Sequence, residues 1–218
     1  LRQKPGIATP LVAIALLLAA AATVPAADNA AAAAPTPATA EPARTIPAEV
    51  PDVQLQDLAG KSHRLRDSHG RPRLYNFWAT WCEPCRREIP LLNTLAGSYA
   101  QDHLEIVGIA VDFRDAVRDF VRKEKLHYTL LVGEEDGLEV AQQFGMDMAL
   151  PFTVFADGQN RIIAVKVGEL HREEATVILK DMRELRAGTA SLEQTRAAIS
   201  QSLQELATAR ARQAKPRG

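Results

Sequence analysis

One stretch constrains this chain more than any other: "LYNFWATWCEPCRREIP", residues 74–90, an apolar run ending at two cysteines three positions apart. Its first half reads as a buried strand and its second as a helix opening at Glu83. Cys82 and Cys85 therefore sit where a strand hands over to a helix N-terminus. Backbone N–H groups there have no partner within the helix, and the helix dipole adds positive potential. A thiolate at Cys82 gains from both, which lowers its pKa below that of a free cysteine. Pro84 falls in the first helical turn, where a missing N–H costs nothing. The two-residue spacer lets Cys85 reach back to the sulfur of Cys82. Cys82 can then attack a disulfide and Cys85 can resolve the mixed disulfide that forms.

These are the only cysteines in 218 residues, too few for a disulfide-built scaffold. A purely structural bridge across two residues would restrict the unfolded chain very little. A zinc site needs about four ligands, and His63, His69, His103, His127 and His171 show no ligand spacing. Copper(I) on the two sulfurs, assisted by Met146 or Met148, stays open because soft ligands suit it. No cofactor and no resident metal are expected. With a net charge of −1 and 5% aromatic residues, neither bulk charge nor stacking surface suits nucleic acid.

The N-terminus speaks to compartment. Arg2 and Lys4 precede a stretch without charge up to Asp28, whose centre, Leu11 to Ala22, is wholly apolar. Residues 1–27 read as a secretory signal peptide or, uncleaved, as a membrane anchor through residues 10–27, with the remainder exported to the periplasm. Residues 28–48 are Ala/Pro-rich and read as a linker. Residues 49–187 form the expected α/β domain and 188–218 a helical extension with a basic tail.

Within the domain, "RLYNFWAT", "LEIVGIAV" (104–111), "PFTVFA" (151–156) and "RIIAVKV" (161–167) read as strands, the last two as a hairpin around Asp157-Gly158. Helices are predicted from Glu83 to about Ser98, over 115–125, near 138–144 and from about Arg172. Ser191 and Gln194 form a capping box ahead of a last helix carrying Leu192, Ile199, Leu203 and Leu206. Alternating strands and helices predict a mixed central sheet flanked by helices. Asp112 and the histidines read as solvated loop residues.

"NFWATWCEPCRREIP" closely resembles the TlpA/ResA-like branch of the thioredoxin superfamily, exported thiol-disulfide oxidoreductases that include the cytochrome c maturation reductases of DsbE/CcmG type. Trp81 before the first cysteine and Pro90 in the helix carry the likeness, which runs from roughly Val50 to Leu185. The resemblance implies a thioredoxin-like fold and a cis bond before Pro151, facing the active site. It places Asn76 where ordinary thioredoxins have a buried Asp, and Glu88 as the group that assists proton transfer. It gives Trp81 a shielding and docking role, while Glu83 either tunes the thiolate or faces solvent. It further implies reduction of protein disulfides in the periplasm, on apocytochromes or copper-delivery proteins, with electrons from a membrane reductase. An oxidase or isomerase of the same fold, and a Cu(I) chaperone, are the rival readings.

Overall fold

The computed structural model describes residues 45–67, 70–147 and 149–214. The signal or anchor segment and most of the linker lie outside the described residues, as do His69 and Met148. No helix among the described residues is long and apolar enough to cross a membrane.

Among the described residues seven strands form one sheet in the order β2-β1-β5-β4-β3-β6-β7. At the centre β3 (Arg73–Trp78) pairs parallel with β4 (Glu105–Ala110) and antiparallel with β6 (Phe152–Ala156), and β4 pairs parallel in turn with β5 (Thr129–Val132). The edges run antiparallel, with β1 (Gln54–Asp57) and β2 (Ser62–Arg64) on one side and the β6–β7 (Ile162–Val167) hairpin on the other. Every residue of β3 is buried, as a strand covered on both faces requires.

Strand alternation sorts the core into two faces. Tyr75, Phe77, Val107, Ile109 and Leu131 point to one side and pack with Val140, Ala141 and Phe144 at α3 (Glu135–Gln143). Leu74, Ile106, Phe155 and Ile163 point to the other. There they meet Leu92 and Leu95 of α1 (Glu83–Ser98) and Ala175, Ile178, Leu179 and Met182 of α4 (Arg172–Arg186). A third cluster gathers Trp78, Ala79, Cys82, Cys85, Ala110 and Val132 beyond the ends of the parallel strands, with Val117 of α2 (Arg114–Lys123).

The last helix, α5 (Leu192–Ala214), belongs to this body. The expected capping box is present: Gln194 N–H donates to Ser191 Oγ at 3.2 Å, and Ser191 N–H to Gln194 Oε1 at 2.9 Å. Ile199 is buried in the α4 cluster, and Arg210 binds the buried Glu174 at 3.0 Å. At the other end of the domain, Ile162 N–H donates to the Ala48 carbonyl at 2.9 Å, so the chain engages the sheet before Glu49.

Sequence reading missed β1, β2 and β5. β1 and β2 are short and mostly polar, and β5 has two part-buried residues, so neither alternation nor a long apolar run marks them. The helix expected near 138–144 begins earlier, at Glu135, and includes Gly137, which lies against Val111.

Candidate active site

Residues 82–85 cross from the end of β3 into α1. Cys82 is the N-cap of α1, in extended conformation, and Cys85 N–H donates to its sulfur at 3.3 Å. An N-cap side chain ordinarily supplies an oxygen for this purpose, so the sulfur occupies the position where a helix accepts negative charge. The two cysteines form a disulfide with Cα atoms 5.3 Å apart. Cys85 is wholly buried and Cys82 keeps slight exposure, consistent with an outer sulfur met first by a partner. Trp81 beside it is 64% exposed, whereas Trp78 is core at 1%. Pro84 lies in the first turn of α1 as expected.

Asp112 holds this turn to β4, which sequence reading did not anticipate. It is not a solvated loop residue but is only 5% exposed. One carboxylate oxygen accepts from Thr80 N–H at 2.8 Å and Thr80 Oγ1 at 2.6 Å; the other accepts from Phe113 N–H at 2.7 Å. A single acidic residue after an apolar strand gives no sequence sign of a partner 32 positions away. The histidines fare differently from one another: His63 pairs with Asp57 at 2.8 Å, and His171 caps α4.

Asn76 and Glu88 meet directly beneath the helix. Asn76 Nδ2 donates to Glu88 Oε1 at 2.7 Å and to Thr153 Oγ1 at 3.1 Å, in register across β3 and β6. Leu170 N–H donates to the other carboxylate oxygen at 2.7 Å. Those two hydrogen bonds favour the ionised form, but burial outweighs them and pushes the Glu88 pKa up to about 7. Glu169 adds to the rise and Lys166 opposes it. Glu88 stands three residues after Cys85 on the same helix, so the two side chains share a face. A carboxyl group poised near neutrality, one turn from a redox sulfur, suits proton transfer.

Glu83 points outward: its side chain is 84% exposed and binds Arg87 at 3.1 Å. Arg87 also binds Glu169 at 2.7 Å, which ties α1 to the loop that supplies Leu170. Arg86 lies over the Phe120 ring, 5.8 Å from its centroid. The Leu150–Pro151 bond is cis, and the Pro151 carbonyl accepts from Gly168 N–H at 2.8 Å. Leu150 packs against the cluster that holds both cysteines. Met146 packs instead with the Tyr75 and Phe144 cluster. Among the described residues no group of three His, Cys, Asp or Glu side chains is arranged to hold a metal ion.

Comparison with known proteins gives this geometry its place. The AhpC/TSA family model matches residues 46–165. The thiol-disulfide oxidoreductase ResA of Bacillus thuringiensis subsp. konkukian is 32% identical over 143 residues, covering 65% of this chain and 81% of that protein. The thioredoxin-like protein YneN of Bacillus subtilis is 34% identical over 132 residues, covering 58% of this chain and 74% of YneN. Among solved structures, MTB DsbF in its mixed oxidised and reduced forms superposes with a TM-score of 0.55 at 28% identity, over 63% of this chain and 99% of that one. StoA from Bacillus subtilis shares the fold with a TM-score of 0.51 at 20% identity, over 62% and 100% of the two chains. With its thioredoxin-like sheet and its cysteine pair at the head of α1, the chain belongs to the AhpC/TSA family, as a thiol-disulfide oxidoreductase of the ResA and DsbE type.

Proposed function

We propose that this oxidoreductase is exported and acts as a reductant of protein disulfides through Cys82 and Cys85. The observation that carries the reading is the Cys82–Cys85 disulfide at the N-terminus of α1 with Glu88 buried one turn further on. In the reduced protein the Cys82 thiolate attacks one sulfur of a substrate disulfide, forming a mixed disulfide and expelling the other substrate sulfur as a thiolate. Cys85 then yields its proton towards Glu88 and attacks the Cys82 sulfur. The second substrate thiol leaves, two electrons have passed to the substrate, and the pair ends as the disulfide seen here. Asn76 fixes Glu88 in place, Pro151 presents a backbone position without an N–H beside the site, and Trp81 offers an exposed ring to the partner.

Residues 1–27 serve as signal peptide or membrane anchor and 28–48 as the tether, which places the site on the periplasmic side. There a membrane reductase returns the electrons, and apocytochromes c or copper-delivery proteins are the candidate substrates. Equilibration of the domain with defined thiol-disulfide buffers tests the direction. A potential near or below the roughly −270 mV of thioredoxin is expected, and one near the roughly −120 mV of a strong oxidant would reverse it. A Cys85→Ser variant should accumulate mixed disulfides with partners, whereas Cys82→Ser should capture none. The opposite pattern would exchange the two roles.

A further inference from the structure

Among the described residues, the Tyr128 hydroxyl and the Trp78 indole N–H are buried donors without a protein partner. Leaving a buried polar group unpaired is costly, and about 90% or more of such groups are satisfied by protein or water. Phenylalanine at 128 would fill the same space without that cost, so the hydroxyl calls for a physical reason.

The two rings approach one place. Gly108 of β4 sits directly beside Asn76 of β3 in the parallel register. A Cβ placed on Gly108 would lie 2.8 Å from Tyr128 Cε2 and 3.3 Å from Trp78 Nε1. The missing side chain at Gly108 therefore admits both rings against the strand, next to the residue that holds Glu88. Paired positions of neighbouring strands share a face, so Gly108 and Asn76 both look towards α1. Tyr128 itself retains some exposure although its hydroxyl is buried.

We propose that the Tyr128 hydroxyl and the Trp78 indole N–H hold a water that bridges them to the Glu88–Asn76 pair, which makes Tyr128 a positioning residue acting through Glu88. Buried waters typically make about three hydrogen bonds to groups otherwise unsatisfied, and this site supplies them. Trp78 donates to the water, the tyrosine hydroxyl holds it from a second side, and the water donates to the carboxylate. Tyr128 remains protonated throughout, because burial raises its pKa and the Glu88 charge raises it further. The charged groups facing Glu88 are Glu169 and Lys166, from the β7 strand and the loop after it; Asn76, Leu170 and the bridge are its neutral partners. A hydrogen bond donated to the carboxylate favours its ionised form, so removing the bridge should make Glu88 hold its proton more tightly.

The test is a carbon-13 NMR titration of the Glu88 carboxyl in the oxidised protein and in Tyr128→Phe, with Glu88→Gln identifying the signal. The Glu88 midpoint should rise in Tyr128→Phe by about half a unit or more, roughly a threefold gain in proton affinity. In the unaltered protein the buried Trp78 indole proton should show a rotating-frame Overhauser effect to water, distinct from the freely exchanging indole of Trp81. An unmoved or lowered midpoint, or a Trp78 indole without contact to water, overturns the proposal. The water contact is read without any substitution, so it decides the matter even if Tyr128→Phe folds poorly. The kinetic consequence rests on the role proposed above for Glu88. If the midpoint shifts but the pH–rate profile of disulfide exchange does not follow, the bridge stands and that role for Glu88 falls.

Discussion

Replacing Glu88 with glutamine should change stability in a way that depends on pH, with a sign set by burial. In the unfolded chain this carboxyl titrates near its ordinary 4.5, and in the folded protein near about 7. Between those values the folded state binds more protons, so stability falls as pH rises through the interval. Below about 4.5 both states hold the proton and there is no penalty; above about 7 the penalty is complete. A separation of roughly 2.5 units at 1.36 kcal/mol each corresponds to about 3 kcal/mol. Glutamine carries no charge to bury, so it escapes this cost. It also puts an amide NH2, which cannot accept, where a carboxyl oxygen accepts from Leu170 N–H, and so loses about 1–2 kcal/mol at every pH. The variant should therefore be the less stable protein near pH 4 and the more stable one near pH 8. Urea denaturation of both oxidised proteins across that range, with midpoints and slopes compared at each pH, reads the difference. A stability gap that stays constant with pH would refute the argument, because it would mean that Glu88 titrates alike in both states.

The same variant should lose the inflection near neutral pH from the rate of disulfide exchange, and an unchanged pH–rate profile would remove Glu88 from the mechanism. Asp112→Ala strips Thr80 and Phe113 of their acceptor and should cost about 1–3 kcal/mol while slowing exchange; full activity with reduced stability alone would limit Asp112 to a structural role. Ile199→Ala opens a cavity between α5 and α4 and should cost about 2–5 kcal/mol by thermal or urea unfolding; a negligible loss would show that α5 adds nothing to the core.

Much of the chemistry is written locally. A strand passing into a helix at "WATWCEPC" puts Cys82 at the helix cap and Pro84 in its first turn, because both properties depend on residues within one turn of each other. The capping box at Ser191 and the α4 and α5 stripes are legible for the same reason: their partners lie three or four positions away. Glu88 could be nominated from the resemblance, on the helical side that carries Cys85, but its environment could not be read there. Burial against Asn76, Thr153 and Leu170 draws on three segments separated by up to 82 positions, and that burial is what moves its pKa to about 7.

Other features have no local signature at all. Asp112 reads as a solvated residue until the fold brings Thr80 to it. β1 and β2 are polar enough to pass for loop until pairing with β5 extends the sheet. Gly108 falls unmarked inside the strand read over 104–111, yet its bare Cα is what lets Tyr128 and Trp78 lie beside Asn76. The sequence by itself determined where the thiols stand on the chain and how the helix beneath them begins. Only the tertiary structure decided which groups surround the carboxyl behind them, because desolvation and long-range hydrogen bonds exist only once distant segments are packed together.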